Sequence, residues 1–414
     1  PRGTKKSFTG EKFFRFFPPG SDTKSRGAPL PQKYAEAREA GGVFFRKKKY
    51  LCLMYLKNIR LVNFKNFDAF EADFSPKINT LTGPNGTGKT NILDAVYYLC
   101  FTKSYFSAAE GQNIRHGEDF MMLEGNFCRG EDTDPVLMSL QRGAKKSVKR
   151  CGKPIDRMSE YAGLYPLVIV SPSDSDLIAE GSSQRRKFID GVIAQTVPGY
   201  LNLLTAHARV VEQRNALLKR PGVSPLELDV YDLPMVELGQ KVHAARKSFL
   251  EAFVPVFRQV YTEISGGGEQ AEIAYRSVFD DPNPAELLAQ ARPRDLALGF
   301  STVGVHKDDL RLTLDGYPVK NYGSQGQQKT FLTALKLAQF RFMTRAKGEK
   351  PILLLDDVFD KLDSSRVQYI LSLVRDEAFG QIFLSDTHPE RVDALMEGIP
   401  HTDYASFRLS PRRP

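Results

Sequence analysis

The sequence predicts an α/β protein in which one parallel sheet is assembled from both ends of the chain and a helical lobe emerges from it. Three observations support this fold class. A glycine-rich turn at 83–90 stands between a strand pattern and a helix pattern. The apolar run at 352–355 ends in two aspartates and is too short and continuous for anything but a strand covered on both faces. Between these segments, 172–300 carry apolar side chains mainly at helical spacing.

The N-terminal part begins with strands. Residues 54–66 alternate between apolar and polar side chains, which predicts a half-buried strand, and 67–74 predict a second one. A short strand at 77–81 leads into the glycine-rich turn, and helical spacing begins after the turn. Further apolar runs predict small antiparallel strands beside this unit, at 121–127, 135–141 and 167–170.

The rest of the chain changes to helices and then returns to strands. About 235 residues separate Lys89 from Ser324, which is too few for a long coiled-coil arm, and heptads are absent. The patterns predict helices at 176–195, 199–219 and 233–265, a strand at 309–314, a long helix at 325–346 and a last strand at 381–385. We therefore divide the chain into an extension (1–53), an N-terminal sheet region with an antiparallel part (54–171), a helical lobe (172–300) and a C-terminal sheet region (301–414).

Composition narrows the class of protein. The 414 residues are 41% hydrophobic and contain no long apolar run, so a membrane protein is excluded. Four cysteines lie far apart without a C-x-x-C pair, which favours neither a zinc site nor a disulfide framework. A reducing, cytoplasmic setting is therefore expected.

The positive charge is concentrated in the extension. Residues 1–53 hold 13 basic and 4 acidic side chains, and these account for the whole net charge of +9. They show no sustained helix or strand period, so we interpret them as a disordered or non-native basic extension. The alternative is a basic arm that contacts phosphates. Residues 54–414 carry no net charge, and binding to nucleic acid would have to use local patches.

The glycine-rich turn matches the pattern G-x-x-x-x-G-K-[ST], a phosphate-binding loop. Its glycines let backbone N–H groups face a polyphosphate, and the N-terminus of the following helix adds positive potential. Lys89 is expected on the β- and γ-phosphates and Thr90 on Mg²⁺. The alternative is a glycine-rich turn with a surface lysine. The predicted nucleotide-binding residues are Gly83, Pro84, Asn85, Gly86, Thr87, Gly88, Lys89, Thr90 and Asn91.

Two acids follow the buried strand at 352–355. Asp356 and Asp357 should lie at the carboxyl edge of the sheet, where ligands bind in α/β proteins. We expect Asp356 to hold Mg²⁺ and Asp357 to polarise an attacking water, which makes both catalytic together with Lys89. The alternative is that one of the two acids only caps the next helix.

A second helix N-terminus carries an unusual sequence. Ser324 and Gln327 form a capping box at the start of the long helix, and ordinary capping alone would explain both residues. Gly326, however, lies in the first helical turn, where it costs helix stability but leaves room for a close backbone approach. Such a tip suits a γ-phosphate offered by another molecule.

These motifs together resemble the Walker A, signature and Walker B segments of ABC-type ATPase heads in the SMC superfamily. The resemblance is closer still to the RecF family of bacterial recombination mediators. It covers nearly all of 54–414, through stretches such as KNIRLVNFKNF at 57–67, GSSQRRKFID at 181–190, EQRNALLK at 212–219, TVGVHKDDL at 302–310 and YGSQGQQKT at 322–330.

The resemblance implies a DNA-binding ATPase with ATP and Mg²⁺ as cofactors. Such a protein dimerises around ATP, hydrolyses it slowly, and binds single-stranded, gapped and duplex DNA together with RecR and RecO. It implies that Ser324 and Gly326 contact the γ-phosphate of the opposite subunit. The signature segment that acts on the other subunit is Ser324, Gln325, Gly326 and Gln327. Asp363 would belong to the D-loop at the dimer seam. A γ-phosphate switch is expected at Thr387 or His388, and a solvated loop histidine explains His388 equally well. The glutamine-loop equivalent is expected at either Gln112 or 171–174.

Two basic clusters are candidates for DNA contact, although each is equally well explained as a solvated charged face. One cluster lies on a predicted hairpin. The other opens a predicted helix and is followed by Lys187. The candidates are Lys145, Lys146, Lys149 and Arg150 in the first cluster and Arg185 and Arg186 in the second. The alternative to the whole interpretation is a P-loop kinase or another NTPase that does not act on DNA.

Overall fold

The computed structural model describes residues 54–357 and 379–410. The predicted extension 1–53 and the predicted D-loop residue Asp363 lie outside the described residues. Along the N-terminal region the elements are β1 (Met54–Phe64), β2 (Phe67–Asp73), β3 (Ile78–Thr82), α1 (Lys89–Phe101), β4 (Phe120–Arg129), β5 (Asp132–Gln141), β6 (Ser147–Arg150), β7 (Lys153–Pro154), α2 (Met158–Tyr161) and β8 (Leu167–Val170).

Helices dominate the middle of the chain, and strands return after it. The middle contains α3 (Asp176–Ala179), α4 (Ser182–Thr196), α5 (Tyr200–Leu218), α6 (Pro225–Ser265), β9 (Ala271–Arg276) and α7 (Pro284–Leu298). The C-terminal part contains β10 (Asp309–Leu314), β11 (Tyr317–Pro318), α8 (Val319–Tyr322), α9 (Gln325–Lys347), β12 (Ile352–Asp356), β13 (Ile382–Asp386), α10 (Pro389–Met396) and β14 (Tyr404–Arg408).

The central sheet is parallel and has the strand order β14-β3-β13-β12-β8. It takes β3 and β8 from the N-terminal region and the other three strands from the C-terminal region, which confirms the α/β prediction. Strand β13 lies between β3 and β12, so the two predicted phosphate-site strands are not neighbours.

The expectation that 167–170 form a small antiparallel strand was wrong. This apolar segment pairs in parallel with β12, Leu167 opposite Ile352, because a strand buried on both faces suits the parallel sheet.

Side chains of β12 divide the core between the two faces of this sheet. Leu353 and Leu355 pack with the apolar residues of α6 and α9. Ile352 and Leu354 pack with α1 and with the antiparallel sheet β2-β1-β4-β5-β6-β7. The alternation follows from the two-residue period of a strand. The carboxyl edge of the parallel sheet therefore lies between α1 on one side and α9 on the other.

The lobe is built around α6, whose 41 residues begin eight positions before the predicted start at 233. Ser224 caps the helix with Glu227 in a capping box, and Pro225 occupies the first turn. Pro234 lies inside the helix, although proline usually kinks or ends one. Phe257 of α6 packs on Phe331 of α9 with ring centroids 4.8 Å apart, which joins the lobe to the central sheet.

Several short strands were not predicted. Strand β9 pairs with β10 in a separate three-stranded sheet with β11, across the predicted boundary at 300. The division of the chain into regions at 171 and 300 stays a prediction.

Within the described ranges, no helix is both long and apolar enough to cross a membrane.

Candidate nucleotide site

The glycine-rich turn leaves the carboxyl end of β3 and enters α1 at Lys89. Gly83 has φ +144°, and a Cβ atom there would lie 2.2 Å from the carbonyl oxygen of Leu409. Leu409 donates its N–H to the carbonyl of Thr82 over 2.7 Å, so the chain just beyond β14 closes against the turn. Gly88 caps α1 with φ +104°, a conformation that favours glycine. The turn therefore depends on glycine at both ends.

Lys89 is folded back into this turn. Its side chain is buried, and Nζ donates to the carbonyl oxygens of Gly83 and Pro84 over 2.6 and 3.0 Å. Burial lowers the pKa of Lys89, and the negative charges of Asp357, Asp356 and Asp386 act against that shift. An ammonium group among three carboxylates and an N-terminal helix turn can neutralise several phosphate oxygens.

Thr90 and Asp356 meet across the sheet edge. The hydroxyl of Thr90 donates to Oδ1 of Asp356 over 3.0 Å, and the same oxygen accepts from Oγ of Ser385 over 2.8 Å. Burial raises the pKa of Asp356, while the bonds from Ser385 and Thr90 oppose the rise. The structure thus brings together the two residues that the sequence predicted as Mg²⁺ ligands.

Asp357 follows at the end of β12. Its backbone N–H donates to Oγ of Ser385 over 2.9 Å, and its φ of +51° is unusual for a residue with a side chain. Residues held in this conformation cost on the order of 1–3 kcal/mol and cluster at functional sites. Ser385 therefore organises both neighbouring aspartates, and sequence reasoning missed it.

A third carboxylate, Asp386, was also missed. It ends β13, is fully buried, and accepts from the N–H of His388 over 2.7 Å and from Arg391 over 3.3 Å. The available signal was the one used for Asp356, since both acids follow a run of buried strand residues. The predicted switch residues Thr387 and His388 come directly after it and bond to each other over 2.9 Å at the surface.

The antiparallel sheet supports the turn from the other side. Asn66, between β1 and β2, accepts from Nδ2 of Asn91 over 2.8 Å and donates to the carbonyl of Thr87 over 3.4 Å. Asn91 was predicted on the nucleotide, and the structure places it against Asn66 at the start of α1. Asn66 carried no recognisable signal in the sequence.

The predicted signature segment lies at the exposed tip of α9. Ser324 accepts from the N–H of Gln327 over 3.2 Å, and Oε1 of Gln327 accepts from the N–H of Ser324 over 2.7 Å, which confirms the capping box. Ser324 and Gln325 are exposed, and Gly326 is half-buried. Among the described residues, no hydrogen bond or ion pair joins this segment to the glycine-rich turn. One chain therefore presents the two motifs as separate surfaces.

Comparison with known proteins identifies the family. The sequence model described as "RecF/RecN/SMC N terminal domain" matches residues 55–398. A relative from Flavobacterium johnsoniae, named DNA replication and repair protein RecF, is 45% identical over 360 residues, which make up 86% of this chain and 100% of the relative. The chain belongs to the RecF family.

Two solved RecF structures have the same fold over most of their length. One, described as "the recombination mediator protein RecF-ATPrS in RecFOR pathway", has a TM-score of 0.77 and 28% identity and covers 87% of this chain and 97% of that one. The other, with RecF-ATP, has a TM-score of 0.76 and 28% identity and covers 81% and 92%. The predicted ABC-type, SMC-like ATPase head with a helical insert lobe is confirmed.

For this RecF-family chain, the glutamine-loop alternatives lie in different places. The turn 171–174 follows β8 at the carboxyl edge of the parallel sheet, where Asp174 pairs with Lys336 over 2.6 Å and accepts from the hydroxyl of Tyr105 over 2.8 Å. Gln112 lies in a short helical turn and is exposed. Asp174 thereby links the sheet edge to α9.

The DNA candidates occupy the predicted hairpin and helix start, but most of them have internal partners. Lys146 bonds to Glu110, Arg150 to Asp134 and Arg185 to Asp309. Arg186 donates to Ser182 and to the carbonyl of Asp308. Lys145 and Lys149 are exposed and make no ion pair within the described part of the chain. A role in DNA contact stays a prediction for all six residues.

Proposed function

We propose that this RecF-family protein binds ATP with Mg²⁺ at the glycine-rich turn and dimerises when the signature tip of a second copy closes over the γ-phosphate. The closed dimer would hold single-stranded or duplex DNA in recombinational repair and replication restart, and slow, DNA-dependent hydrolysis would release it. The observation that carries the proposal is the contrast between the Thr90–Asp356 contact within one chain and the separate, exposed Ser324 tip.

The residues at the sheet edge fit ATP and Mg²⁺. A hydroxyl and a carboxylate oxygen 3.0 Å apart are hard oxygen ligands of the kind that Mg²⁺ prefers, and bound phosphate and water would supply further oxygens. Bound Mg²⁺ would neutralise charge on the phosphates. Thr90 and Asp356 would hold it, with Ser385 orienting Asp356.

Lys89 and Asp357 have separate roles in this proposal. Lys89 would exchange the carbonyls of Gly83 and Pro84 for phosphate oxygens, which are stronger acceptors because they are charged. Asp357 would orient and polarise the attacking water. Ser324 and Gly326 of the other copy would stabilise charge on the γ-phosphate, with Gln325 and Gln327 shaping that tip.

The family supports DNA, RecR- and RecO-type mediators and a cytoplasmic setting as the context of this activity. Curated relatives are named for DNA replication and repair, and the solved neighbours are placed in the RecFOR pathway. A P-loop kinase would have no need of the Ser324 tip on a separate helix, so we do not favour that alternative.

Light scattering with and without ATP tests the proposal. Asp357→Asn should trap ATP and give a stable dimer, whereas Lys89→Ala should stay monomeric because it cannot hold the phosphates. DNA binding, measured with ATP, ADP and no nucleotide, should follow the dimer. A monomer in every condition, with ATP shown to be bound, would contradict the clamp and favour the kinase.

A further inference from the structure

Glu269 makes a contact with the signature segment that the proposed roles do not use. It lies in the loop between α6 and β9, after the glycines at 266–268, and is half-buried. Oε1 of Glu269 accepts from Nε2 of Gln327 over 2.8 Å, and Oε2 accepts from the hydroxyl of Tyr261. One carboxylate thus joins the end of the lobe helix α6 to the tip of α9.

The contact determines which end of the Gln327 amide faces Ser324. A carboxylate only accepts hydrogen bonds, so it must face the NH₂ group of the amide. The carbonyl end of Gln327 is then directed to the N–H of Ser324, the bond of 2.7 Å that completes the capping box. Without Glu269 the NH₂ end of the Gln327 amide would lose its acceptor, and the side chain would be less restrained in the position that accepts from Ser324.

The loop that carries Glu269 is held at both ends. Tyr261 is buried on α6, and its ring lies 6.1 Å from that of Phe331 in α9. On the other side, the N–H of Gln270 donates to Asp315 over 2.8 Å, and Asp315 donates back to the carbonyl of Gln270 over 2.9 Å. Glu269 is therefore fixed although three glycines precede it.

We propose that Glu269 is a positioning residue that sets the geometry of the Ser324–Gln327 segment through the amide of Gln327. The role rests on the proposed function, because the segment acts on the nucleotide of a second copy. Glu269 also connects that segment to Tyr261 of α6, so one carboxylate links the lobe to the segment that would face the nucleotide of the second copy.

A double-mutant cycle on ATP hydrolysis tests this role. Glu269→Ala should lower kcat about tenfold and leave KM for ATP within about twofold, because the turn at 83–90 is untouched. In a Gln327→Ala background, Glu269→Ala should have no further effect, since the amide through which it acts is gone. Glu269→Gln keeps one accepting oxygen and should retain most of the activity.

The matched control is Glu272→Ala, which removes a nearby carboxylate. Among the described residues its ion-pair partner is the exposed Arg258 alone, so kcat should stay unchanged. An equal loss on Glu269→Ala in both backgrounds, or no loss at all, would overturn the role of Glu269. ATP-dependent dimerisation of the unaltered protein is measured in the same series. If the protein dimerises but the substitutions at 269 and 327 act independently, only the role of Glu269 is overturned. If the protein never dimerises, the proposed function is overturned as well.

Discussion

Thr90 and Asp356 are 266 positions apart in the chain, and their side chains share a hydrogen bond of 3.0 Å at the carboxyl edge of the parallel sheet. Strand β13 lies between β3, which leads into the turn before Thr90, and β12, which ends at Asp356. Ser385 of β13 donates to the same oxygen of Asp356. The pair is therefore held by three strands in register, and changes at any of them should reach the site.

Asp356→Asn should abolish most ATP hydrolysis and yet stabilise the fold at neutral pH. Because burial raises the pKa of Asp356, the folded protein holds this proton more tightly than the unfolded chain does. The contribution of this proton to the free energy of unfolding is therefore fully present below the ordinary carboxyl pKa. It is lost as the pH rises through the pKa of Asp356 in the folded protein. The variant lacks this loss, so its Tm at neutral pH should exceed that of the parent.

Urea unfolding from the ordinary carboxyl pKa of 3.8 up to neutral pH measures this difference, which should narrow as the pH falls toward 3.8. Asp393→Asn, at an exposed pair with Arg408, is the control and should change neither activity nor stability. A parent protein more stable than Asp356→Asn at every pH would show that the carboxylate stabilises the apo fold.

Gly83→Ala should disrupt the turn far more than Gly86→Ala. A Cβ at 83 would meet the backbone of Leu409 at 2.2 Å, whereas one at 86 would meet no atom of the described residues within 4 Å, although both glycines have positive φ. We expect a loss of about 3 kcal/mol or more at 83 and about 1 kcal/mol at 86. Urea unfolding and binding of a fluorescent ATP analogue measure both effects, and equal losses would contradict a role for the Leu409 contact.

Lys145→Glu with Lys149→Glu should weaken duplex binding and flatten its dependence on salt. If both side chains contact phosphates, the slope of log K against log salt should fall by about 2. Titrations at several salt concentrations measure the slope. Lys57→Glu with Lys241→Glu makes the same change in net charge at exposed positions elsewhere. An equal effect of this control pair would show that net charge alone, and not the hairpin, determines binding.

Tyr322→Trp should report closure of the dimer. The sequence has no tryptophan, and Tyr322 is 70% exposed two positions before Ser324, so the variant carries one fluorophore at the signature tip. ATP should shift its emission to shorter wavelength as a second copy covers the ring. Leu226→Trp, at an exposed position on α6, should show no shift. An unchanged Tyr322→Trp spectrum in a protein shown to dimerise would place this tip outside the seam.

Much of the candidate site was readable because its signals are local. The glycine-rich turn needs positive φ at particular positions, and the capping box needs Ser324 and Gln327 three residues apart. Asn66 and Ser385 were missed because their roles depend on which segments are neighbours. Asp386, by contrast, ends a buried strand as Asp356 does, so a local signal for it was present. The antiparallel prediction for 167–170 was wrong for the same reason, since a short apolar run does not specify its partner.

The sequence by itself determined the phosphate-binding turn, the acidic strand end, the helix tip at Ser324 and the α/β class, because backbone conformation and burial leave periodic patterns within a few residues. Only the tertiary structure decided that β13 separates β3 from β12, that Ser385 joins two aspartates, and that Glu269 holds Gln327. These contacts join segments tens to hundreds of residues apart, and their geometry depends on strand register and helix packing, which no local pattern encodes.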